Sequence, residues 1–145
     1  MLNATSLAKP GAIELLHADM LSHEVHVAAM CETWFNESML DDAVFIPGFD
    51  LFRKDRKFCR GGGVCLYIKG GLCCCSIALP SDDDDLLEFL CVKLQLIDYV
   101  FIIIVCYNPP KPRYDNATFL HFLSLNCEFV TKTYPQAVVV LLGDF

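Results

Sequence analysis

From Tyr99 to Tyr107 the chain reads Tyr-Val-Phe-Ile-Ile-Ile-Val-Cys-Tyr, with no charge and no regular alternation of apolar and polar residues. A β-branched run of this kind is a strand covered on both faces, so the fold must place a layer above it and a layer below it. It falls far short of the roughly 20 apolar residues that span a bilayer. Leu87–Leu96 precedes it across a tight Ile97-Asp98 turn, as a second strong strand. Beyond Pro109-Pro110 the spacing predicts a helix from about Asp115 to Thr133, with Phe119, Phe122, Leu123 and Phe129 on one stripe. Ala137–Leu142 is then a further aliphatic strand. Two strands joined by a helix of that length lie parallel. The same logic opens the chain: Asn3 ends a short first strand, Leu7 to about His23 carries Ile13, Leu16 and Met20 at helical spacing, and Val25–Cys31 reads as a buried strand. The expected class is α/β.

The middle third follows hairpin chemistry. Pro47-Gly48 leads into a strand at Phe49–Arg53, a charged turn, and a strand at Gly63–Lys69 in which Val64, Leu66 and Ile68 alternate with other residues. Cys74–Leu79 is a weaker strand, and the carboxylate run Asp82–Asp85 must stay solvated, which marks a loop. At 145 residues and 54% hydrophobic, the chain holds one domain or a piece of one, with a core to bury. Its net charge of −7 argues against sequence-blind binding to nucleic acid, yet Arg53, Lys54, Arg56, Lys57 and Arg60 crowd into one short stretch. The nine cysteines include no C-x-x-C pair, so a zinc ribbon is not expected; most lie in apolar runs and read as core filler in a reducing compartment. No signal peptide or membrane segment is legible, and the expectation is an intracellular protein.

The chemistry-bearing residues gather where strands end. In parallel pairs the carboxyl ends share one edge, and in α/β sheets ligands bind there. Asn3, Glu32, Tyr107 with Asn108, and Asp144 all fall at such ends. A carboxylate just past a buried strand is held rigidly and partly desolvated, which suits it to bind a hard cation or take a proton from water. The constellation these residues allow is a Mg²⁺ held by Glu32 with Asn3 nearby, and an Asp144 that orients or deprotonates a water. Such a centre suits phosphodiester hydrolysis, in which the metal offsets charge on the phosphate while a positioned water attacks.

The motifs have a familiar order. Asn3-Ala-Thr-Ser-Leu7, Cys31-Glu-Thr-Trp-Phe35, Ile46-Pro-Gly-Phe49, Phe52-Arg-Lys-Asp-Arg56, Arg60 through Lys69, Tyr107-Asn-Pro-Pro110 and Gly143-Asp-Phe145 together resemble the endonuclease/exonuclease/phosphatase family. More narrowly, they resemble the apurinic-type endonuclease of LINE-type, non-LTR retrotransposons. The resemblance implies a DNase I-like four-layer α/β sandwich, two mixed β-sheets flanked by helices, incomplete within these residues. It implies DNA as partner, nuclear access, and Mg²⁺ as cofactor with Mn²⁺ as a substitute. By the same resemblance Glu32 binds the metal, Asn3 helps position metal and phosphate, Tyr107 contacts the scissile phosphate, and Asp144 activates the water.

The chain departs from the family pattern in three places. The terminal motif of the family is G-D-F-N and the sequence ends at Phe145; the later Ser-Asp-His segment is also outside these residues. Asn108 stands where relatives usually carry Arg, which removes one phosphate-facing cation. The expectation is a fragment that cannot turn over. A family phosphatase or exonuclease acting on another phosphoester, and a non-catalytic remnant, are the other readings.

Several features have plainer explanations. His17, His23, His26 and His121 offer no substitute for the family's histidine. Gly61, Gly62 and Gly63 open a strand rather than a helix, so they serve a tight turn or bulge and not a P-loop. Trp34 and Phe35 read as packing. Arg53, Arg56 and Arg60 either track a DNA backbone or form a solvated hairpin loop.

Overall fold

A computed structural model describes residues 1–57, 59–80 and 86–145. The carboxylate run Asp82–Asp85, expected as a loop, lies outside the described residues. The described chain forms β1 (Leu2–Asn3), α1 (Ala12–Ser22), β2 (Val27–Cys31), β3 (Phe49–Lys54), β4 (Val64–Lys69), β5 (Cys73–Ser76), β6 (Glu88–Gln95), β7 (Val100–Tyr107), α2 (Asn116–Thr133) and β8 (Val138–Asp144). These make two four-stranded sheets, ordered β1-β2-β4-β3 and β5-β6-β7-β8. Both are mixed. β1 runs parallel to β2 and β7 parallel to β8, across the two helical crossovers expected from sequence, and the remaining pairs are antiparallel.

Strand alternation sorts the apolar residues into three layers. Ala28 and Met30 of β2 and Cys65 and Tyr67 of β4 pack with Leu16 and Met20 of α1 on the outside of the first sheet. Their neighbours Ala29, Cys31, Val64, Leu66 and Ile68 point the other way, onto Leu90, Val92, Leu94, Ile103, Val105 and Tyr107 of the second sheet. Ile102, Ile104 and Cys106 of β7, with Phe89 and Cys91 of β6, turn outward to Phe119 and Val130 of α2. The order is helix, sheet, sheet, helix. β7 is apolar throughout because one set of its side chains fills the inter-sheet core and the other meets α2.

Two expectations need correction. The first helix begins at Ala12, not Leu7, because Gly11 takes a left-handed conformation (φ 78°) that ends the irregular entry segment. The cysteines divide more evenly than core filler implies. Cys31, Cys65, Cys91 and Cys106 are buried, whereas Cys59, Cys73 and Cys75 are exposed. The reason is topological: β5 is an edge strand, so Cys74 alone leans on the inter-sheet core while its neighbours face outward.

Thiolate, not thiol, is the reactive form. Burial pushes the Cys31 thiol up to about 11 and Cys106 to about 12, and raises Cys65 further. Alkylation of the native protein with iodoacetamide at pH 8 is therefore expected to label Cys59, Cys73 and Cys75 first. Cys31, Cys65, Cys91 and Cys106 should react only in denaturant, as mass spectrometry of the peptides will show.

Candidate active site

The site forms where corresponding edges of the two sheets meet. Register places Asn3 opposite Cys31 and Cys31 opposite Val64 in the first sheet. In the second, Glu88 lies opposite Tyr107, and Tyr107 opposite Asp144. Side chains then cross the gap. The Asn3 amide donates to Asp144 Oδ2 at 2.9 Å. The Tyr107 hydroxyl donates to Glu32 Oε1. The Cys31 thiol reaches the carbonyl of Cys106 at 3.6 Å. Four residues widely separated in sequence thus converge at one edge: Asn3 with Asp144, and Glu32 with Tyr107.

Glu32 is held with unusual completeness. It has φ 58°, and Trp34 has φ 61°, a region that costs a residue with a side chain on the order of 1–3 kcal/mol. Backbone bonds on both flanks hold the conformation. Ser6 N–H donates to the Glu32 carbonyl at 2.7 Å and Leu7 N–H to that of Thr33 at 2.8 Å. From the other side, Trp34 N–H donates to the Gly62 carbonyl at 2.8 Å. The carboxylate itself accepts three donors: Tyr107 on Oε1, and the Trp34 indole (2.6 Å) and Gly62 N–H (3.2 Å) on Oε2. About four lone-pair sites exist on a carboxylate, so one remains.

Gly61, Gly62 and Gly63 all have positive φ, from 69° to 89°, which is the tight turn expected at the start of β4. At Gly63 a Cβ would stand 2.5 Å from Thr33 Oγ1. This close approach brings the turn against the Glu32 segment.

The cations serve different ends. Arg53 is taken up locally by Asp55 (3.1 Å), Asp41 (3.3 Å) and the Met39 carbonyl (2.8 Å). Arg56 binds Glu88 through Nε at 2.6 Å and Nη2 at 2.5 Å, with its guanidinium 5.7 Å from the Tyr107 ring centre. Arg60 is exposed and lies 5.2 Å from the ring centre of Trp34, beside Glu32. Of the three, it presents its charge to solvent at the site's rim.

Sequence reasoning missed Glu88 and the indole contact. Glu88 is only 3% exposed, and burial raises its carboxyl above the ordinary range against the lowering pull of Arg56 and Gly63 N–H. Its one sequence signal is a lone acid opening an apolar strand. Trp34, read as packing, donates its N–H to the Glu32 carboxylate. Asp144 departs from expectation in being exposed rather than partly desolvated, because β8 is an edge strand.

Glu32, Asn3 and Asp144 supply oxygen donors, the set a hard divalent cation prefers. Among the described residues no three His, Cys, Asp or Glu side chains gather closely enough to hold a metal by themselves. Mg²⁺ needs fewer, since it is commonly bound by one or two carboxylates and keeps several waters. The buried Asn108 Oδ1, next to Tyr107, has no hydrogen-bond partner among the described residues and adds an oxygen at the same edge.

No family model matches the sequence, and no curated protein sequence does. Solved structures match well. The endonuclease domain of TRAS1, a telomere-specific non-LTR retrotransposon, has a TM-score of 0.64 at 13% identity, over 96% of this chain and 55% of that one. The fold is DNase I-like. Truncated TDP2 from Caenorhabditis elegans matches this DNase I-like chain with a TM-score of 0.65 at 9% identity, over 98% of it and 59% of TDP2. ANGEL2, a 2',3'-cyclic phosphatase, gives 0.62 at 14%, over 89% and 41%. At such identities the likeness is one of fold. The DNase I-like chain spans about half the length of the solved structures it matches. No helix among its described residues is long and apolar enough to cross a membrane.

The glycine turn gives a direct test of this geometry. Gly63→Ala combines a left-handed φ with a collision against Thr33 and is expected to cost about 1–3 kcal/mol, seen as a lower urea midpoint with unchanged slope.

Proposed function

We propose that this chain carries the cation- and phosphate-binding part of a Mg²⁺-dependent DNA endonuclease of the retroelement type. The observation that carries the reading is the strained Glu32, its carboxylate fixed by Tyr107, Trp34 and Gly62 beside the Asn3–Asp144 pair. Glu32 would hold the metal, Mg²⁺ or in its place Mn²⁺, with the Asn3 amide oxygen near. A bound divalent cation supplies Lewis-acid polarisation of the phosphate and offsets its charge. Asp144, oriented by the Asn3 amide, takes the proton of the attacking water. The Tyr107 hydroxyl, at the end of β7, would exchange its bond to Glu32 for one to a phosphate oxygen. Arg60, at the rim, neutralises a backbone phosphate, and Arg56 keeps Tyr107 in place rather than touching DNA. Arg53 contributes by holding its own loop. The chain spans about half the length of the solved structures it resembles, so binding rather than turnover is the property we expect of these residues. DNA is favoured over other phosphoesters by the ordered motifs near Asn3, Glu32, Arg60 and Tyr107.

Trp34 is the sole tryptophan and its indole donates to Glu32, so its fluorescence reports on that carboxylate. Titration with Mg²⁺ is expected to change the emission to saturation, and Glu32→Gln to abolish the change. A flat titration of the native protein would sink the reading.

Substrate class needs the rest of the domain. In a protein that includes it, Glu32→Gln and Asp144→Asn should each slow nicking of supercoiled plasmid by about 10²-fold or more. Cleavage of phosphoinositides with no nicking would assign the site to the phosphatase branch instead.

A further inference from the structure

Glu88 is the one buried charged side chain among the described residues, and the chemistry proposed for the site makes no use of it. Its carboxylate is divided between two segments. Oε1 binds the Arg56 guanidinium, and Oε2 accepts from the backbone N–H of Gly63. Each of these partners leads to a different site residue. Arg56 lies over the ring of Tyr107, whose hydroxyl donates to Glu32 Oε1. Gly63 is joined to Gly62, whose N–H donates to Glu32 Oε2. Glu88 therefore grips both arms of the cradle that holds the Glu32 carboxylate.

A buried ion pair is a costly way to stabilise a fold, since desolvation consumes most of the attraction and apolar replacements of both partners are often neutral or better. Placement is a different matter. The turn at Gly61–Gly63 is three glycines in the left-handed region, and such a segment has a wide choice of conformations until something fixes it. Within this turn the Gly63 N–H is fixed by Glu88. On the second sheet Glu88 faces Tyr107 directly in register, so one residue ties the turn and the tyrosine to the same strand end.

We propose that Glu88 is a positioning residue for the cation site: through Arg56 and Gly63 it sets the Tyr107 hydroxyl and the Gly62 N–H that orient Glu32. This rests on the cation-binding role of Glu32 proposed for the site. Groups that orient a metal ligand without touching the metal change affinity by about 10- to 100-fold when removed.

The test uses the whole 145-residue chain and two readouts, Mg²⁺ titration by Trp34 fluorescence and thermal unfolding by circular dichroism. Glu88→Gln is expected to weaken Mg²⁺ binding about 10-fold or more while the far-ultraviolet spectrum is unchanged. Because that variant leaves Arg56 without its partner, the deciding protein is the double variant Glu88→Met with Arg56→Met, which removes both charges. A merely structural pair predicts that this variant, once folded, binds Mg²⁺ as the native chain does. The positioning role predicts a cooperative melt together with weakened binding. Native affinity in a folded double variant overturns the role of Glu88 alone. A native chain that gives no Mg²⁺ response overturns the cation site itself, and this inference with it.

Discussion

The inter-sheet core is the constraint from which everything else in this molecule follows. Sheets stacked face to face lie about 10 Å apart, and their inner side chains must interdigitate. Here β2 contributes small inner side chains and β7 large ones. Ala29 and Cys31 of β2 share one core with Ile103, Val105 and Tyr107 of β7, so the small residues of β2 admit the larger ones of β7. That fit settles how far β2 can slide along β7. With the slide settled, the ends of both strands stop at the same level, and Glu32, just past Cys31, is delivered to Tyr107, the last residue of β7. The edge where these side chains meet is a by-product of core packing.

Much of this was legible in the sequence, and the legible part has a common physical cause. The Tyr99–Tyr107 run could only be a doubly covered strand, and both crossovers could only connect parallel neighbours, so Asn3, Tyr107 and Asp144 had to lie at strand ends on one edge of their sheets. Hydrophobic period and chain connectivity are local properties, and they survive without any knowledge of the partner layer. What escaped was non-local. Glu88 looks like the solvated start of a strand until the glycine turn folds over it. The left-handed backbone of Glu32 has no sequence signature, because the residues that hold it, Ser6, Leu7 and Gly62, come from two distant segments. Arg53, one of five clustered cations, is drawn inward by Asp41 and Asp55, acids that the charge count treats as unrelated. The exposure of Asp144 depends on β8 being an edge strand, a feature of sheet order rather than of the run Val138–Gly143.

A net charge of −7 says little about the site edge, where the balance of charges is set by near neighbours. Charge matters locally, within about a Debye length of 8–10 Å at ordinary salt. At the site edge the carboxylates are matched one by one: Glu88 by Arg56, Asp144 by the Asn3 amide, Glu32 by three neutral donors. Neutral donors are the informative choice. An arginine paired to Glu32 would cancel the charge that a divalent cation needs, whereas a hydroxyl, an indole N–H and a backbone N–H orient the carboxylate and leave its charge intact. The same logic separates the two acids. Glu88, buried and gripped by a guanidinium and a backbone N–H, is committed to those partners; Glu32, oriented by neutral donors alone, keeps one lone-pair site open. Division of labour between a committed acid and an open one is what the packing of these two sheets builds.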